Sequence, residues 1–253
     1  MATYALTGGA TGIGAAIKNQ LCDAGHRVIV VDLADGDVCA DLSDLAGRQK
    51  AIDGIRALAP EGLDGFIPCA GLGPSVRPFS LIAKVNFFAA VAVTEGVLDL
   101  LLKRKGSIVM IASNSAAMVG HDEFVDLMLG GQEVAACELI ENKDGHSAYA
   151  GSKHALSCWL RRNAPDYARQ GVRLNAVAPG IIDTPLSKKV LADKDLGQVM
   201  KDFGDSVPLG AIGKPEQIAD VVCFMLSGKA SFMAGSIVFV DGGHDAMLRP
   251  DQF

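Results

Sequence analysis

An α/β fold built on a doubly wound parallel sheet is predicted for this chain of 253 residues. Short runs of β-branched residues alternate along the chain with longer segments of helical periodicity. The first run leads directly into a glycine-rich turn, and no repeat or linker-like stretch interrupts the order. Repeated strand–helix–strand order implies a parallel sheet covered by helices on both faces. We therefore expect a single domain over residues 1–253.

Six strands are expected where β-branched and aliphatic residues cluster between turn signals. They lie near residues 3–7, 27–32, 64–70, 107–112, 172–178 and 236–240. Pro68 removes a backbone donor from the third strand, so we expect it near the end of that strand. The carboxyl ends of parallel strands meet at one edge of a sheet, and a ligand site is expected where the strand order reverses.

Five helices are expected where apolar residues recur with helical spacing. They lie near residues 13–24, 45–59, 79–103, 147–168 and 215–226. The third is the most apolar part of the chain, but it contains Lys84, Asn86 and two acidic residues, which indicates a core helix and not a membrane span. A run of three cations ends this helix, where positive charge is favourable.

The composition argues against several classes of protein. A formal net charge of -6 without a block of basic residues argues against a nucleic-acid surface, which needs clustered lysine and arginine. The amino terminus has no signal-peptide pattern, so we expect a cytoplasmic protein without a membrane partner. Six cysteines without a Cys-x-x-Cys pair and five histidines without ligand spacing predict buried free thiols and no metal site.

Residues 119–145 do not fit the alternation. The segment is partly helical, is flanked by glycines and precedes the helix that carries Tyr149, so we interpret it as an inserted helical flap. Two roles stay open for its apolar residues, Phe124, Val125, Leu127, Met128 and Leu129. They either line a substrate cavity or pack on the domain or on a partner subunit. The residues after Gly180 form a loop that is expected to close over the substrate.

A glycine-rich turn, TGGATGIG at residues 7–14, follows the first strand and opens the first helix. Gly8, Gly12 and Gly14 permit a tight turn and a close approach of backbone to a ligand. The amino terminus of the helix offers unpaired N–H groups and a positive dipole to a pyrophosphate. A plain strand-to-helix turn is the alternative interpretation of the same glycines.

Asp32 ends the second strand, 18 residues after Gly14. An acidic side chain at this place accepts hydrogen bonds from the adenosine ribose hydroxyls and repels a phosphate on that ribose. We therefore expect NAD and not NADP as cofactor. The alternative is an aspartate that only caps a turn.

Tyr149 and Lys153 are four residues apart, which places both side chains on one helix face. An unperturbed tyrosine has a pKa of about 10 and exchanges protons poorly at neutral pH. A nearby ammonium and the positive ring of an oxidised nicotinamide would lower that pKa. The pair alone is common on helix surfaces, so its interpretation depends on neighbouring residues.

Two polar residues supply that context. Ser113 directly follows an apolar strand, at the edge where a hydroxyl can bind a substrate oxygen, and Ser115 is a competing serine two residues on. Asn86 lies in an otherwise apolar helix. It is either a satisfied polar group of the core or part of a proton path.

In order and spacing, these features resemble the short-chain dehydrogenase/reductase family, and the resemblance covers nearly the whole chain. It is carried by the segments TGGATGIG at 7–14, CAG at 69–71, YAGSK at 149–153, NAVAPG at 175–180 and DGG at 241–243, together with Asn86, Ser113 and Thr184.

The resemblance implies a Rossmann fold in which Ser113 orients the substrate oxygen and Tyr149 transfers the proton. It implies that Lys153 binds the nicotinamide ribose and lowers the tyrosine pKa, and that Asn86 completes a proton relay through water. The cofactor-binding positions that it implies are Gly8, Thr11, Gly12, Ile13, Gly14, Asp32, Asp41, Leu42, Ala70, Gly71, Tyr149, Lys153, Ile182 and Thr184. Among these, Asp41 and Leu42 would approach the adenine, and Ile182 and Thr184 would hold the carboxamide.

The sequence departs from the family pattern in two places. The family usually has asparagine where Cys69 stands, so other groups must take over the strand-stabilising role of that amide. The interval between Ser113 and Tyr149 is longer than usual because of the flap. Within the family, CAGLGP at 69–74, AYAGSKHAL at 148–156 and LRPDQF at 248–253 resemble the bacterial 3α-hydroxysteroid dehydrogenase/carbonyl reductase group.

We therefore expect an NAD-dependent oxidoreductase that interconverts a secondary alcohol and a ketone. A 3α-hydroxysteroid or 3-oxosteroid, or another bulky carbonyl compound, is the expected substrate. The alternatives are the same chemistry on a non-steroidal cyclic or aromatic alcohol, and a non-catalytic NAD-binding sensor. A homo-oligomer, dimer or tetramer, is expected to form through the apolar third helix or through the C-terminal strand and its tail.

Overall fold

Seven parallel strands form one sheet in the order β3-β2-β1-β4-β5-β6-β7 in the computed structural model, which describes residues 1–252. The expected doubly wound sheet is thereby confirmed, and six strands match the expected ones within two residues. The seventh, β3, is only two residues long and gives no periodic signal in the sequence. The strands are β1 Thr3–Thr7, β2 Arg27–Asp32, β3 Val38–Cys39, β4 Gly65–Pro68, β5 Ser107–Ile111, β6 Arg173–Pro179 and β7 Ile237–Val240.

Helices cover both faces of the sheet. They are α1 Gly12–Asp23, α2 Leu45–Leu58, α3 Ser80–Ala83, α4 Ala90–Gly96, α5 Leu98–Arg104, α6 Glu123–Leu129, α7 Glu133–Ile140, α8 Gly145–Arg169, α9 Pro185–Leu191, α10 Gly197–Asp205, α11 Pro215–Leu226 and α12 His244–Leu248. Within residues 1–252 no single helix is long and apolar enough to cross a membrane. The bent pair Ser80–Gly96 and Leu98–Arg104 passes that test by length and composition only.

The strand order reverses at β1. The chain builds β2 and β3 on one side of β1 and then crosses to build β4 through β7 on the other. Thr7 at the end of β1 pairs with Val31 of β2 and with Pro68 of β4, and Pro68 is the last residue of its strand, as expected. This reversal opens a crevice at the carboxyl ends of β1 and β4, where ligands of such sheets bind.

The core consists of two layers, one on each face of the sheet. Successive side chains of a strand point to opposite faces. In β5, Ile108 and Met110 belong to the layer under α2 to α8, whereas Val109 and Ile111 belong to the layer under α1 and α11. Because both faces are covered, β5 is buried along its whole length, as continuous apolar strands of parallel sheets are.

The expected helix over 79–103 is interrupted twice. A π-helical segment, Lys84–Ala89, separates α3 from α4, and the axis then bends by 51° between Ser80–Gly96 and Leu98–Arg104. A side chain at Gly96 would place its Cβ 2.4 Å from Ile52 of α2, so glycine permits close helix packing just before the bend. Asn86 lies inside the π segment, a type of distortion that occurs frequently at functional sites.

Residues 119–145 form the two short helices α6 and α7, and their apolar face packs on the domain. Phe124, Val125 and Met128 are almost completely buried in the core layer that includes α8. Gly151 of α8 makes this packing possible, because a Cβ there would lie 2.9 Å from the Phe124 ring.

Polar contacts also hold this segment in place. The Glu133 carboxylate accepts two hydrogen bonds from the Arg48 guanidinium, at 2.7 and 2.8 Å. The Glu141 carboxylate accepts hydrogen bonds from the backbone N–H groups of Phe79 and Ser80, where α3 begins. The segment is therefore joined to α2 and to α3 by charged groups.

Candidate active site

A cavity of about 650 Å³ opens at the carboxyl edge of the sheet. The predicted site residues line it with the single exception of Asn86. Those that line it are Gly8, Thr11, Gly12, Ile13, Gly14, Asp32, Asp41, Leu42, Ala70, Gly71, Ser113, Tyr149, Lys153, Ile182 and Thr184. Residues from six different connections thus meet in one crevice.

The glycine-rich turn forms the floor of one end of the cavity. Gly8 has φ of 75°, and a Cβ on it would lie 2.7 Å from the Ala70 backbone. A Cβ on Gly14 would lie 1.9 Å from the Gly8 carbonyl oxygen. The Thr11 side chain makes no capping hydrogen bond to α1, so the first N–H groups of that helix are free to bind an anion.

Asp32 and the β3–α2 connection form the outer wall of the same end. The Asp32 carboxylate accepts hydrogen bonds from the backbone N–H groups of Ala10, at 2.9 Å, and Leu33, at 2.8 Å. Asp32 is therefore fixed against the glycine-rich turn. A hydrogen bond from the Ser43 N–H to the Asp41 carboxylate lowers the pKa of Asp41. The buried Arg48 donates to the Leu42 carbonyl at 2.9 Å and thereby holds the connection in place.

Ser113 and Tyr149 meet at the other end of the cavity. Ser113 follows β5, and its hydroxyl lies beside the Tyr149 side chain, whose pKa it lowers. The Ser115 hydroxyl donates to the Ser113 oxygen at 2.9 Å. Both serines line the cavity, but Ser113 is the one beside the tyrosine and Ser115 binds Ser113, which favours Ser113 of the two candidate serines.

Lys153 lies one helical turn after Tyr149, and only 5% of its surface is exposed. Its ammonium donates a hydrogen bond of 2.7 Å to the Ile111 carbonyl at the end of β5. Burial lowers the pKa of Lys153 to about 8. A Cβ on Gly71 would lie 3.8 Å from the Lys153 Nζ, so the lysine lies next to the backbone of the segment that follows β4.

The pKa of Tyr149 is shifted upward, whereas the sequence predicts a lowered pKa. Burial raises the pKa of the phenol above its ordinary value, and the neighbouring Ser113 hydroxyl opposes that shift. The charge of Lys153 does not contribute to the shift of the Tyr149 pKa. The residues of the chain alone therefore favour a protonated tyrosine.

Asn86 is fully hydrogen-bonded inside the protein and does not line the cavity. Its Oδ1 accepts from the Leu72 N–H at 2.7 Å, and its Nδ2 donates to the Leu72 carbonyl and the Ser152 hydroxyl. This arrangement favours a satisfied core amide over a direct place in a proton path. Its effect is to fix the segment that includes Gly71.

Cys69 stands where the family usually has asparagine, and two other side chains stabilise its neighbours. The Thr7 hydroxyl accepts a hydrogen bond from the Ala70 N–H at 3.1 Å, and Asn86 binds Leu72. Burial raises the pKa of the Cys69 thiol to about 12, so this cysteine is a neutral thiol at physiological pH. The thiols are free as expected, but the expectation that they are buried is wrong: Cys22 and Cys39 are exposed, and the other four are partly exposed.

The stretch after Gly180 is largely helical, and it supplies an apolar wall. Thr184 caps α9 by accepting a hydrogen bond from the Ser187 N–H, and a Cβ on Gly12 would lie 3.3 Å from its methyl group. Thus Thr184 contacts the glycine-rich turn while it begins α9. Further apolar residues of α9 and α10 that line the cavity are Leu186, Val190, Val199, Met200 and Phe203.

The apolar flap residues do not form this wall. Among the residues that the structure describes, Phe124, Val125, Leu127, Met128 and Leu129 are all absent from the cavity lining. Of the two roles left open for these residues, the structure favours packing on the domain, because α6 buries its apolar face against α8. Only the ends of the connection, at Met118 and His146, reach the cavity.

Several lining residues give no signal in the sequence. Leu72, Pro74 and Val76 follow β4 and face α9 and α10 across the cavity, but their spacing is that of an ordinary loop. Arg48 is recognisable only by its partner Glu133, which is 85 residues away. An apolar bias in the stretch after Gly180 is the one sequence feature that points to the wall.

Residues 134–245 match the family model described as enoyl-(acyl carrier protein) reductase. The chain is 37% identical to the 3-alpha-hydroxysteroid dehydrogenase/carbonyl reductase of Comamonas testosteroni, with all of both chains covered. It is 30% identical to the cis-4-hydroxycyclohexanecarboxylate dehydrogenase of Sinomonas cyclohexanicum, with 96% of each covered.

The fold is similar to that of the 3-alpha-hydroxysteroid dehydrogenase from Pseudomonas sp. B-0831, solved as a complex with NADH. The TM-score is 0.97 and the identity 40%, over 99% of this chain and 100% of that one. The similarity therefore extends over the cavity and over residues 119–145 alike.

Proposed function

The chain belongs to the short-chain dehydrogenase/reductase family of oxidoreductases, and from that premise we propose that it interconverts secondary alcohols and ketones with NAD(H). The observation that carries the proposal is that Ser113, Tyr149 and Lys153 line one cavity together with the glycine-rich turn and Asp32. The proposed proton-transfer residue and the proposed dinucleotide-binding residues thus line the same cavity.

The lining residues fit NAD. The backbone at Gly8 and Gly14 leaves no room for side chains, and the free N–H groups of α1 suit a pyrophosphate. Asp32 suits ribose hydroxyls. Among the described lining residues Lys153 is the only lysine or arginine, so a ribose phosphate would meet Asp32 without a compensating cation. Gly71, Ile182 and Thr184 would border the cofactor further along the cavity.

Three side chains would carry the proton chemistry. In alcohol oxidation, Ser113 binds the substrate oxygen and Tyr149 removes the hydroxyl proton; in ketone reduction, Tyr149 returns it. Oxidised NAD, when bound, supplies the hydride acceptor and a positive charge that favours the phenolate. Lys153 adds to that charge whenever it is protonated, and Asn86 acts as a positioning residue for Gly71 and Leu72.

The proposed substrate is a bulky, apolar molecule such as a 3α-hydroxysteroid or 3-oxosteroid. Aliphatic and aromatic side chains of α9 and α10 line the same cavity as Tyr149, and they would bind an apolar ring system by excluding water from it. The relatives named as a hydroxysteroid dehydrogenase and a hydroxycyclohexanecarboxylate dehydrogenase support a cyclic secondary alcohol. A non-steroidal cyclic or aromatic alcohol is the alternative substrate.

A spectrophotometric screen of NADH formation and consumption tests the proposal. It covers 3α-hydroxysteroids, 3-oxosteroids, cyclic alcohols and aryl ketones, with NADP(H) as the cofactor control. We expect turnover with NAD(H) and the highest kcat/KM for the most extended apolar ring systems. NADH binding without turnover on any of these compounds would contradict the proposal and favour a dinucleotide sensor.

We also propose that the chain forms a homo-oligomer. The described surface exposes Phe224, Phe232, Met247 and Leu248, with Phe232 fully accessible. Phe224 lies in α11, Phe232 between α11 and β7, and Met247 and Leu248 in α12, which supports the expected C-terminal surface. The other expected surface, the apolar helix predicted over residues 79–103, is less well supported, because its large apolar residues are buried or half-buried in the domain.

A further inference from the structure

A cluster of two histidines and a cysteine lies behind the active site, on the side of α8 that faces residues 119–145. His121 precedes α6, whereas His154 and Cys158 lie one turn apart on α8. One nitrogen of each histidine and the Cys158 Sγ all lie within 4.8 Å of one another. The expected absence of a metal site was inferred from spacing along the chain, which does not reveal a cluster whose histidines are 33 residues apart.

Hydrogen bonds determine which nitrogen of each ring carries the proton. The His121 Nε2 lies 2.7 Å from the Asp126 carboxylate, and the His154 Nδ1 lies 2.8 Å from the Ala116 carbonyl oxygen. Both acceptors lack a hydrogen, so each of these nitrogens must donate. The His121 Nδ1 and the His154 Nε2 therefore keep free lone pairs.

This pattern is the one found around protein-bound metals. A histidine ligand usually donates its second ring nitrogen to a carboxylate or a backbone carbonyl, which fixes the ring orientation and increases the basicity of the ligand. Here one histidine has a carboxylate partner and the other a carbonyl partner. The two rings are held at 72° to each other with centroids 5.8 Å apart.

We propose that His121, His154 and Cys158 bind a divalent cation of the zinc type, with a fourth position open to water. Nitrogen and sulfur ligands in this combination select zinc-like ions over magnesium or calcium, which prefer oxygen. Zinc–ligand bonds are about 2.0–2.3 Å long. In a tetrahedral site the three ligand atoms must therefore lie closer to one another than the 4.8 Å limit within which they lie here. His121 is exposed and lies in the connection before α6, so it can make the required approach.

The surrounding charges balance. The Asp126 carboxylate, which is bound to His121, favours the binding of a cation. The positive charge of Arg162, which acts on Cys158, disfavours a cation there. Binding would release the thiol proton of Cys158 to solvent. The bound ion would join the connection at Met118–Asp122 to α8 and so hold Met118, which lines the cavity, in place.

Cobalt(II) titration of the full-length, chelator-treated protein tests the site, because a cobalt–thiolate bond gives a near-ultraviolet charge-transfer band. We expect one Co²⁺ per chain with this band, competed by Zn²⁺. Cys158→Ser should lose the band, and His121→Ala should weaken Zn²⁺ binding by more than about tenfold, since a ligand matters at least as much as its outer-shell partners. Cys22→Ser, at an exposed cysteine of α1, is the matched control and should behave as the parent.

Thermal unfolding with and without Zn²⁺ gives a second measurement. Zn²⁺ should raise the Tm of the parent and of Cys22→Ser, but not that of His121→Ala, whose exposed side chain can be removed without unfolding the chain. The proposal is overturned if the parent shows no cobalt–thiolate band, or if Cys158→Ser or His121→Ala binds Zn²⁺ as tightly as the parent.

Discussion

At the scale of single residues, the site is defined by what each polar side chain already binds. The Ser115 hydroxyl donates to Ser113, and the Asn86 amide is bound to the Leu72 backbone. Ser113, Ser115 and Tyr149 all line the cavity, but the Ser115 hydroxyl already donates to Ser113. Lys153 is buried with a single hydrogen bond to a carbonyl, which is an unfavourable environment for its charge.

The two serines should differ strongly in their effect on catalysis. Ser113→Ala should lower kcat about 10²–10³-fold, because it removes a preorganised donor to the substrate oxygen. Ser115→Ala should lower kcat less than about tenfold, since its hydroxyl only donates to Ser113. Steady-state kinetics of both variants check this, and a larger loss in Ser115→Ala would reverse the assignment.

Lys153 should make the folded protein less stable at neutral pH than at alkaline pH. Its pKa is lowered from 10.5 to about 8 in the folded state, so the unfolded chain holds the additional proton between those values, and stability increases as pH rises through that window. Below pH 8, burial of the Lys153 charge lowers the free energy of unfolding by its full amount, about 3 kcal/mol at 1.36 kcal/mol per pKa unit.

Lys153→Met tests that penalty by urea unfolding at pH 7 and pH 10. The variant should exceed the parent in unfolding free energy at pH 7 by up to about 3 kcal/mol, less about 1 kcal/mol for the lost hydrogen bond to Ile111. Its advantage should shrink at pH 10. Lys50→Met, at an exposed position of α2, is the control, and an equal pH dependence in both variants would contradict the account.

At the scale of secondary-structure elements, α6 and α7 are fixed parts of the domain and not a lid. Their apolar face is buried against α8, and Glu133 binds the buried Arg48. Because Arg48 also binds the Leu42 carbonyl, this ion pair connects the segment to the proposed adenine end of the cavity.

Glu133→Ala should destabilise the protein by about 2–4 kcal/mol, because it leaves the Arg48 charge buried without its partner. Asp99→Ala is the matched control, since it breaks an ion pair with Arg56 whose two side chains are about half exposed and should cost less than about 1 kcal/mol. Chemical denaturation measures both. Equal, small effects would show that Arg48 finds other partners or water.

Local spacing predicted six of the seven strands, the glycine-rich turn, Asp32 and the Tyr149–Lys153 pair, because each depends on residues close in sequence; the two-residue β3 gave no such signal. The direction of the apolar face of α6 could not be predicted, since it depends on Gly151, which leaves room for Phe124. Nor could the break within residues 79–103. Contacts such as Arg48–Glu133 join residues far apart in the chain and leave no periodic trace.

At the scale of the whole molecule, the fold separates two tasks along one edge of the sheet. The β1 and β2 ends supply the glycines and Asp32, while β5 and α8 supply Ser113, Tyr149 and Lys153. The apolar wall comes from α9 and α10. Changes in that wall can therefore alter the substrate without disturbing the proposed cofactor contacts.

The proposed assembly is a property of the whole molecule as well. Light scattering should give a mass two or four times the 26.3 kDa of one chain, because the proposed interface would cover the exposed apolar residues of the C-terminal elements, among them Phe224 and Phe232. A mass of one chain at micromolar concentration would contradict that expectation.

The central claim is that Tyr149 transfers the proton in an NAD-linked reaction, and Tyr149→Phe tests it most directly. NADH binding, followed by fluorescence, and turnover of the best substrate are measured on the same preparation. We predict a loss of turnover of about 10²–10⁴-fold, with NADH affinity changed less than about threefold, since the phenyl ring is retained. Turnover near that of the parent would contradict the account.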